Sequence, residues 1–138
     1  MSNKLENGRA QFAYEKVSLA ADHENKNYAK EYRALVRALP AMIHTNGFGA
    51  AVGFLFSKSN KKDGKGADSP HQAVLIVLAE WLKRQGVIEN PNPDFLMKAI
   101  TEQSRDGYKR MTRETMSVVM WMKRFAEGMI EGDAESVE

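Results

Sequence analysis

The last long segment of the chain, residues 108–130, limits the possible folds most, because its hydrophobic side chains recur with the period of an α-helix. At about 100° per residue, one side of this helix is hydrophobic and the opposite side is basic. The hydrophobic side carries Tyr108, Met111, Thr115, Val118, Val119, Met122, Phe125, Ala126 and Met129. The basic side carries Lys109, Arg113 and Arg124. We therefore expect one face to pack on a core and the other to meet solvent or an anion.

A second stretch, residues 25–39, divides its side chains in the same way. Its basic residues recur at helical spacing, and they are Lys26, Lys30, Arg33 and Arg37. The aromatic and aliphatic residues on the opposite side are Tyr28, Tyr32, Leu35 and Leu39. Pro40 follows, and because proline lacks a backbone N–H and crowds the preceding turn, we expect the helix to end or kink at Leu39 before continuing to His44.

Helical periodicity extends over most of the chain. It predicts helices over residues 5–21, 25–39, 48–58, 71–85 and 92–103, and a sixth that begins at Ser104 or Asp106. Ser69 is expected to cap the fourth helix, which is hydrophobic on nearly all sides and is therefore predicted to lie at the centre of the fold. Gly49 and Gly53, four residues apart in the third helix, would let another helix approach closely.

These patterns predict an all-α fold, a single-domain bundle of about six helices. We expect residues 1–130 to form the all-helical domain and residues 131–138 to be an acidic, disordered tail. Between the third and fourth helices, residues 59–68 have no hydrophobic period and two glycines, which predicts a mobile basic loop.

Composition narrows the classes of function. The chain of 138 residues has no cysteine, which excludes disulfides and thiolate chemistry. Its histidines, His23, His44 and His71, have no second histidine or carboxylate at metal-ligand spacing, so we expect no metal and no cofactor. The N-terminus is too polar for a signal peptide, and the longest hydrophobic run, residues 73–82, is about half a membrane span. We expect a cytoplasmic protein with no membrane partner and no small-molecule substrate.

Motifs for nucleotide chemistry are weak. The glycines of residues 46–53 and of residues 64–66 have neither the spacing nor the preceding strand of dinucleotide- or phosphate-binding loops.

Glu80 is the one carboxylate in the hydrophobic fourth helix, and we expect it to pair with Arg84 one turn later on the helix surface.

The net charge of +2 is unevenly distributed. Residues 127–138 contain five acidic side chains and no basic one, which leaves residues 1–126 with 20 basic and 13 acidic side chains. A basic body suits a polyanionic partner such as a nucleic acid, because rows of lysine and arginine can contact its phosphates. A solvated surface remains the alternative reading of the same charges.

Met120 and Trp121, which lie beside the basic face of the last helix, predict a protein contact.

Several segments, in their order and spacing, resemble one family. They are Arg9-Ala-x-Phe-Ala-Tyr-x-x-Val17, Tyr32-x-x-Leu-Val-x-x-Leu-Pro-x-Met-Ile43, Asn46-Gly-Phe, Phe54-x-x-Ser-Lys58 and the segment 108–126 with its Trp121-x-Lys-Arg-Phe-Ala126. Together they resemble the small helical subunit of type III-B CRISPR-Cas effector complexes. The resemblance covers residues 9 to about 130, and it includes neither the loop at residues 59–68 nor the acidic tail.

The resemblance implies a non-catalytic protein that stacks in several copies along the guide and target RNA channel, in antiviral defence. It implies as partners the repeated backbone subunits, further copies of the chain, and the guide and target RNA. On this reading the residues expected to contact RNA phosphates are Lys26, Lys30, Arg33, Arg37, Lys58, Lys109, Arg113 and Arg124. Met120 and Trp121 are the expected protein interface.

Two alternatives remain open at the level of sequence. One is a helical scaffold that binds only protein, without direct RNA contact. The other is the related small subunit of type III-A complexes, although the Leu39-Pro40 and Asn46-Gly47 pairs favour the III-B form. An enzyme is disfavoured, since the sequence shows no catalytic constellation.

Overall fold

The computed structural model of the chain describes residues 3–59 and 69–132, with side chains from residue 8 onward. Six α-helices account for almost all of this part: α1 (Asn3–Ala21), α2 (Lys26–Asn46), α3 (Phe48–Ser59), α4 (Pro70–Arg84), α5 (Pro93–Thr101) and α6 (Arg105–Met129). The predicted all-α fold is thus confirmed, with helix limits within a few residues of expectation; for α2 this holds for the predicted continuation to His44 and not for an end at Leu39. Residues 60–68 of the predicted loop and 133–138 of the predicted tail lie outside the described residues.

Polar side chains cap the first turns of α4, α5 and α6 and thereby determine where these helices begin. The Ser69 hydroxyl accepts a hydrogen bond from the Gln72 amide at 3.1 Å, as expected for the cap of α4. The Asn92 side chain accepts from the amide of Asp94 at 2.7 Å at the start of α5. Ser104, rather than Asp106, caps α6 by accepting from the Gly107 amide. Each cap satisfies an amide that the helix itself leaves without a partner.

The helix α2 does not end at Leu39 but continues through Pro40 to Asn46. Leu39 and Ile43, on either side of the proline, are both buried in the core, and this packing outweighs the hydrogen bond that the proline removes. The helix ends at Gly47, whose φ of 96° is open to glycine and whose amide donates to the Ile43 carbonyl at 2.9 Å.

The core is shared between α4 and α6, which corrects the expectation of a bundle around α4 alone. α6 packs most extensively, against α1 on one side and α2 on the other, while α4 contacts α2, α3, α5 and α6. The buried residues of α6 are those of its predicted hydrophobic face, namely Met111, Thr115, Val118, Val119, Met122 and Ala126. Its basic face is therefore turned outward.

Close helix approach occurs at only one of the two glycines proposed for it. A Cβ added to Gly49 would lie 3.3 Å from the Tyr108 hydroxyl oxygen, whereas one added to Gly53 would have no described neighbour within 4 Å. The glycine spacing was thus a correct indication at Gly49 and wrong at Gly53.

Polar side chains tie α1 to the two core helices. The Arg9 guanidinium lies 3.6 Å from Glu114 Oε1 of α6, and the same oxygen accepts from the Trp81 indole N–H of α4 at 3.3 Å. Glu80 pairs with Lys16 of α1 at 2.7 Å instead of with Arg84, which lies over the Phe12 ring. The expected pair within α4 was wrong because α1 packs close enough to supply a different cation.

Candidate nucleic-acid interface

The basic stripe of α2 divides into two halves with different surroundings. Lys26 and Lys30 are exposed near the start of the helix. They border a cavity of about 470 Å³ together with Met129, Ile130 and Glu131 at the end of α6. The two helices run in opposite directions here, so the beginning of the α2 stripe lies beside the end of α6.

Arg33 and Arg37, one and two turns further along, are half-buried against α6. The Nε of Arg37 donates to Glu127 Oε2 at 2.8 Å, and Lys123 Nζ lies 3.7 Å from the same oxygen. Arg33 adds a further positive charge near this carboxylate. Arg37 is therefore already engaged by an acidic side chain of the same protein.

Glu127 is held in its ionised form by these cations. Partial burial would raise its pKa, but the hydrogen bond from Arg37 and the charges of Lys123, Arg37 and Arg33 outweigh burial and lower the pKa below its ordinary value. The spacing of Lys123 and Glu127, four residues apart on one helix, was present in the sequence. Their meeting with Arg37, 90 residues away along the chain, depends on how α2 packs on α6.

The basic stripe of α6 borders a hydrophobic groove on the outside of the bundle. Lys109, Arg113 and Arg124 are all exposed. The groove has a volume of about 890 Å³. Among the described residues it is lined by Gln103, Ser104, Arg105, Tyr108, Lys109, Thr112, Arg113, Met116, Ser117 and Met120. A smaller cavity, lined by Ser117, Met120, Trp121 and Arg124, extends along the same helix. No acidic side chain is among the lining residues described.

The two residues expected to form a protein interface lie at this smaller cavity. Met120 is 37% exposed and is one of four exposed large hydrophobic side chains among the described residues, with Tyr14, Leu19 and Phe95. Trp121 is half-buried and stacks on Phe125 with ring centroids 5.6 Å apart. Phe125 in turn meets the exposed Tyr14 ring of α1 edge-on. Met120 is thus available for contact, while part of Trp121 already serves the packing of α1 on α6.

Lys58 lies apart from both stripes, in the last turn of α3. Its ammonium is 6.0 Å from the centre of the Phe54 ring, and its side chain is exposed. The cations of the following loop, Lys61, Lys62 and Lys65, belong to the residues that the structure does not describe. Lys58 is therefore a candidate only on charge and exposure.

Two further properties of the described residues bear on the kind of site. Among residues 3–59 and 69–132, no group of three or more histidine, aspartate or glutamate side chains is placed to hold a metal ion. No described helix is both long and hydrophobic enough to cross a membrane.

Comparison with known proteins gives one consistent result. Residues 5–129 match the family described as CRISPR-associated protein (Cas_Cmr5). A relative from Thermus thermophilus, named CRISPR system Cmr subunit Cmr5, is 34% identical over 122 residues, which is 88% of this chain and 92% of the relative. The crystal structure of a CRISPR-associated Cmr5 family protein from the same organism superposes with a TM-score of 0.69. It is 32% identical and aligns over 89% of this chain and 94% of that one.

The family match covers nearly all of the described bundle and agrees with the resemblance seen in the sequence. They also decide between the two CRISPR alternatives, since the matching family is the Cmr form. The chain belongs to the Cmr5 family, the small subunit of type III-B CRISPR systems.

Proposed function

We propose that this Cmr5 family protein is a non-catalytic, RNA-contacting subunit that stacks in several copies along the guide and target RNA channel of its effector complex. The observation that carries the proposal is the outward placement of two rows of cations on neighbouring helices. Lys26 and Lys30 on α2 and Lys109, Arg113 and Arg124 on α6 are all exposed. The repeated backbone subunits, further copies of the chain and both RNA strands are the proposed partners.

The contacts would be to RNA phosphates and not to bases. Lysine and arginine at helical spacing neutralise a phosphate backbone without reading its sequence, and base pairing with the guide supplies specificity. Arg33 and Lys58 are included among the proposed contacts, Arg33 as a half-buried neighbour of the α2 row and Lys58 as an exposed cation on α3. Arg37 joins them only when it exchanges its partner Glu127 for a phosphate.

The hydrophobic groove on α6 supports the stacking part of the proposal. Met120 and Trp121 border the outward face of α6, and exposed hydrophobic side chains in a row commonly mark a protein contact. We infer that the neighbouring subunit presents a different surface to Met120, which makes the contact head to tail and, where it does not close into a ring, builds an open array. We propose that the groove receives the neighbouring subunit while the cations beside it face RNA.

Reconstitution of the effector complex with variant small subunits tests both parts. Reversing the charge of Lys26 and Lys30 is expected to leave assembly intact and to weaken RNA binding. If each subunit neutralises four phosphates, log K for the unmodified complex falls with log salt at about −3 per subunit. Lys83→Glu with Lys98→Glu, at exposed positions of α4 and α5 outside both rows, is the matched control with the same change of charge. Unchanged RNA affinity of the Lys26/Lys30 variant would remove the RNA contact.

A protein-only scaffold is the second candidate, and the hydrophobic lining of the α6 groove favours it. On that reading Met120→Ala with Trp121→Ala abolishes incorporation into the complex, and charge reversal on α2 has no effect on RNA binding. The two readings thus predict opposite results for the α2 variant in the same reconstituted complex.

A further inference from the structure

Glu127 occupies an unexpected place in the basic surface. It is an acidic side chain of α6 whose Oε2 lies within 4 Å of both Arg37 Nε and Lys123 Nζ. Arg33 adds positive charge on the same side. An anion is therefore already bound where the rows of α2 and α6 meet, and that anion is a carboxylate of the protein itself.

The geometry of this cluster is that of a phosphate site filled by a carboxylate. Arginine binds carboxylates and phosphates through the same N–H donors, and both anions form charge-assisted bonds of similar length. The side chains of Arg37 and Glu127 are 29% and 33% exposed, so an approaching phosphate has access to the pair. A half-exposed ion pair of this kind is weak and is readily exchanged for another anion.

We propose that Glu127 is an internal competitor for RNA: it holds Arg37 and Lys123 in the absence of RNA, and an RNA phosphate displaces it. This inference rests on the proposed function, because it assumes that the basic surface meets RNA phosphates.

Displacement makes the surface selective for a polyanion. A single phosphate, such as that of a mononucleotide, must replace Glu127 without help. A continuous strand also contacts Lys26 and Lys30, which precede Arg37 on the same helix, so its other contacts offset the cost of displacement. A small anion binds at Arg37 only after displacing Glu127, whereas RNA can stay bound through Lys26 and Lys30 whether or not Glu127 is displaced, so the carboxylate lowers affinity for small anions more than affinity for RNA.

The test compares Glu127→Gln with Glu31→Gln. Both changes remove one negative charge, but Glu31 is an exposed residue of α2 with no ion pair among those described. Binding of the full-length chain to a labelled single-stranded RNA of about 20 nucleotides is measured between about 50 and 200 mM salt. Glu127→Gln is expected to bind roughly three- to tenfold more tightly, with a salt slope steeper by about 0.7, whereas Glu31→Gln stays within about twofold.

A second substitution ties the gain to Arg37. In the wild type, Arg37→Ala is expected to change RNA affinity little, because the lost contact of Arg37 with a phosphate is offset by the Arg37–Glu127 ion pair that RNA no longer has to break. In the Glu127→Gln background the same substitution is expected to abolish the gain. A mononucleotide competitor should displace RNA more effectively from Glu127→Gln than from the wild type.

Other outcomes overturn the inference. Equal or weaker RNA binding by Glu127→Gln would show that the carboxylate positions the cations or has no role. The inference would also be overturned if neither the wild type nor Glu127→Gln bound the RNA at the lowest salt concentration. The proposed function is judged separately, by the Lys26/Lys30 charge reversal in the assembled complex: it stands if that variant loses RNA affinity even when Glu127→Gln gains none.

Discussion

The Tyr108 hydroxyl of α6 accepts a hydrogen bond from the Gly49 amide at 2.8 Å and thereby caps the start of α3. Gly47 and Phe48, the two residues before this amide, have no side-chain acceptor to offer it. Tyr108 also meets the Phe48 ring edge-on, with ring centroids 5.9 Å apart. One side chain thus links the start of α6 to the turn between α2 and α3.

We expect Tyr108→Phe to lower the free energy of unfolding by about 1 kcal/mol, because the ring contact is kept but the amide loses its partner. Urea denaturation followed by circular dichroism measures this change. Tyr14→Phe is the matched control, since Tyr14 is 53% exposed and its hydroxyl has no hydrogen bond among those described. Equal stability of the Tyr108 variant and the wild type would mean that water replaces the hydroxyl at the amide.

The Arg9, Glu114 and Trp81 contacts predict a larger effect. Glu114 is only 15% exposed, and its Oε1 is shared by a guanidinium and an indole N–H from two different helices. Glu114→Gln keeps the size of the side chain but removes the charge, so the carboxylate that lies 3.6 Å from the half-buried Arg9 is lost. We expect a loss of about 1–2 kcal/mol in the free energy of unfolding. Glu89→Gln, at an exposed position, should change it by less than about 0.5 kcal/mol.

The sequence predicts the fold of this protein better than it predicts the contacts of the candidate site. The hydrophobic period of α6 predicts its buried face correctly, because a regular helix places residues in space through spacing alone. At Pro40 the sequence left open an end at Leu39 or a continuation to His44, and the helix continues because the packing of Leu39 and Ile43 in the core overrides the local preference of proline. Predictions from local sequence are therefore correct where tertiary packing favours the same structure.

At the candidate site, the sequence predicts which cations are exposed but not which side chains of other helices they contact. Spacing places Lys26, Lys30, Lys109 and Arg113 on exposed faces, as the structure does. It treats Arg37 as one more member of a row, because nothing local indicates that Glu127 lies beside it. Glu80 was assigned to Arg84 for the same reason, although Lys16 of α1 is its partner. Contacts between helices need the register of their packing, which the sequence pattern does not contain.

The lowered pKa of Glu127 predicts a pH dependence of stability. A carboxyl group whose pKa is lower in the folded than in the unfolded state stabilises the fold above its unfolded pKa, and this contribution is lost as the pH falls through the folded pKa. The ordinary pKa is 4.5, so the wild type should exceed Glu127→Gln in stability at neutral pH and lose that advantage below pH 4.5. Because the pair is partly exposed, we expect a difference below about 1 kcal/mol.

Urea denaturation of both proteins at several pH values measures this difference. Glu31→Gln again controls for a general effect of charge. An advantage of the wild type that persists unchanged well below pH 4.5 would show that it arises from packing and not from the ionised carboxylate.

The Tyr32 hydroxyl predicts a change of the opposite sign. Tyr32 is buried beneath α1 and α4, and among the described residues its oxygen has no hydrogen-bond partner. Burial, reinforced by the nearby Tyr28, raises its pKa above the ordinary value, so the phenol stays neutral. Leaving a hydroxyl in a hydrophobic core without a partner is unfavourable. We therefore expect Tyr32→Phe to raise the free energy of unfolding by about 1 kcal/mol, as measured by urea denaturation.

Tyr14→Phe is a suitable comparison, because Tyr14 is 53% exposed and its hydroxyl has no hydrogen bond among those described. Tyr32 also lines a cavity of about 330 Å³ with Leu19, Val77 and Glu80, large enough to hold water. A loss of stability in Tyr32→Phe would therefore assign the hydroxyl to a water molecule in that cavity. A gain in stability would show that no water binds the hydroxyl and that burying it without a partner destabilises the wild type.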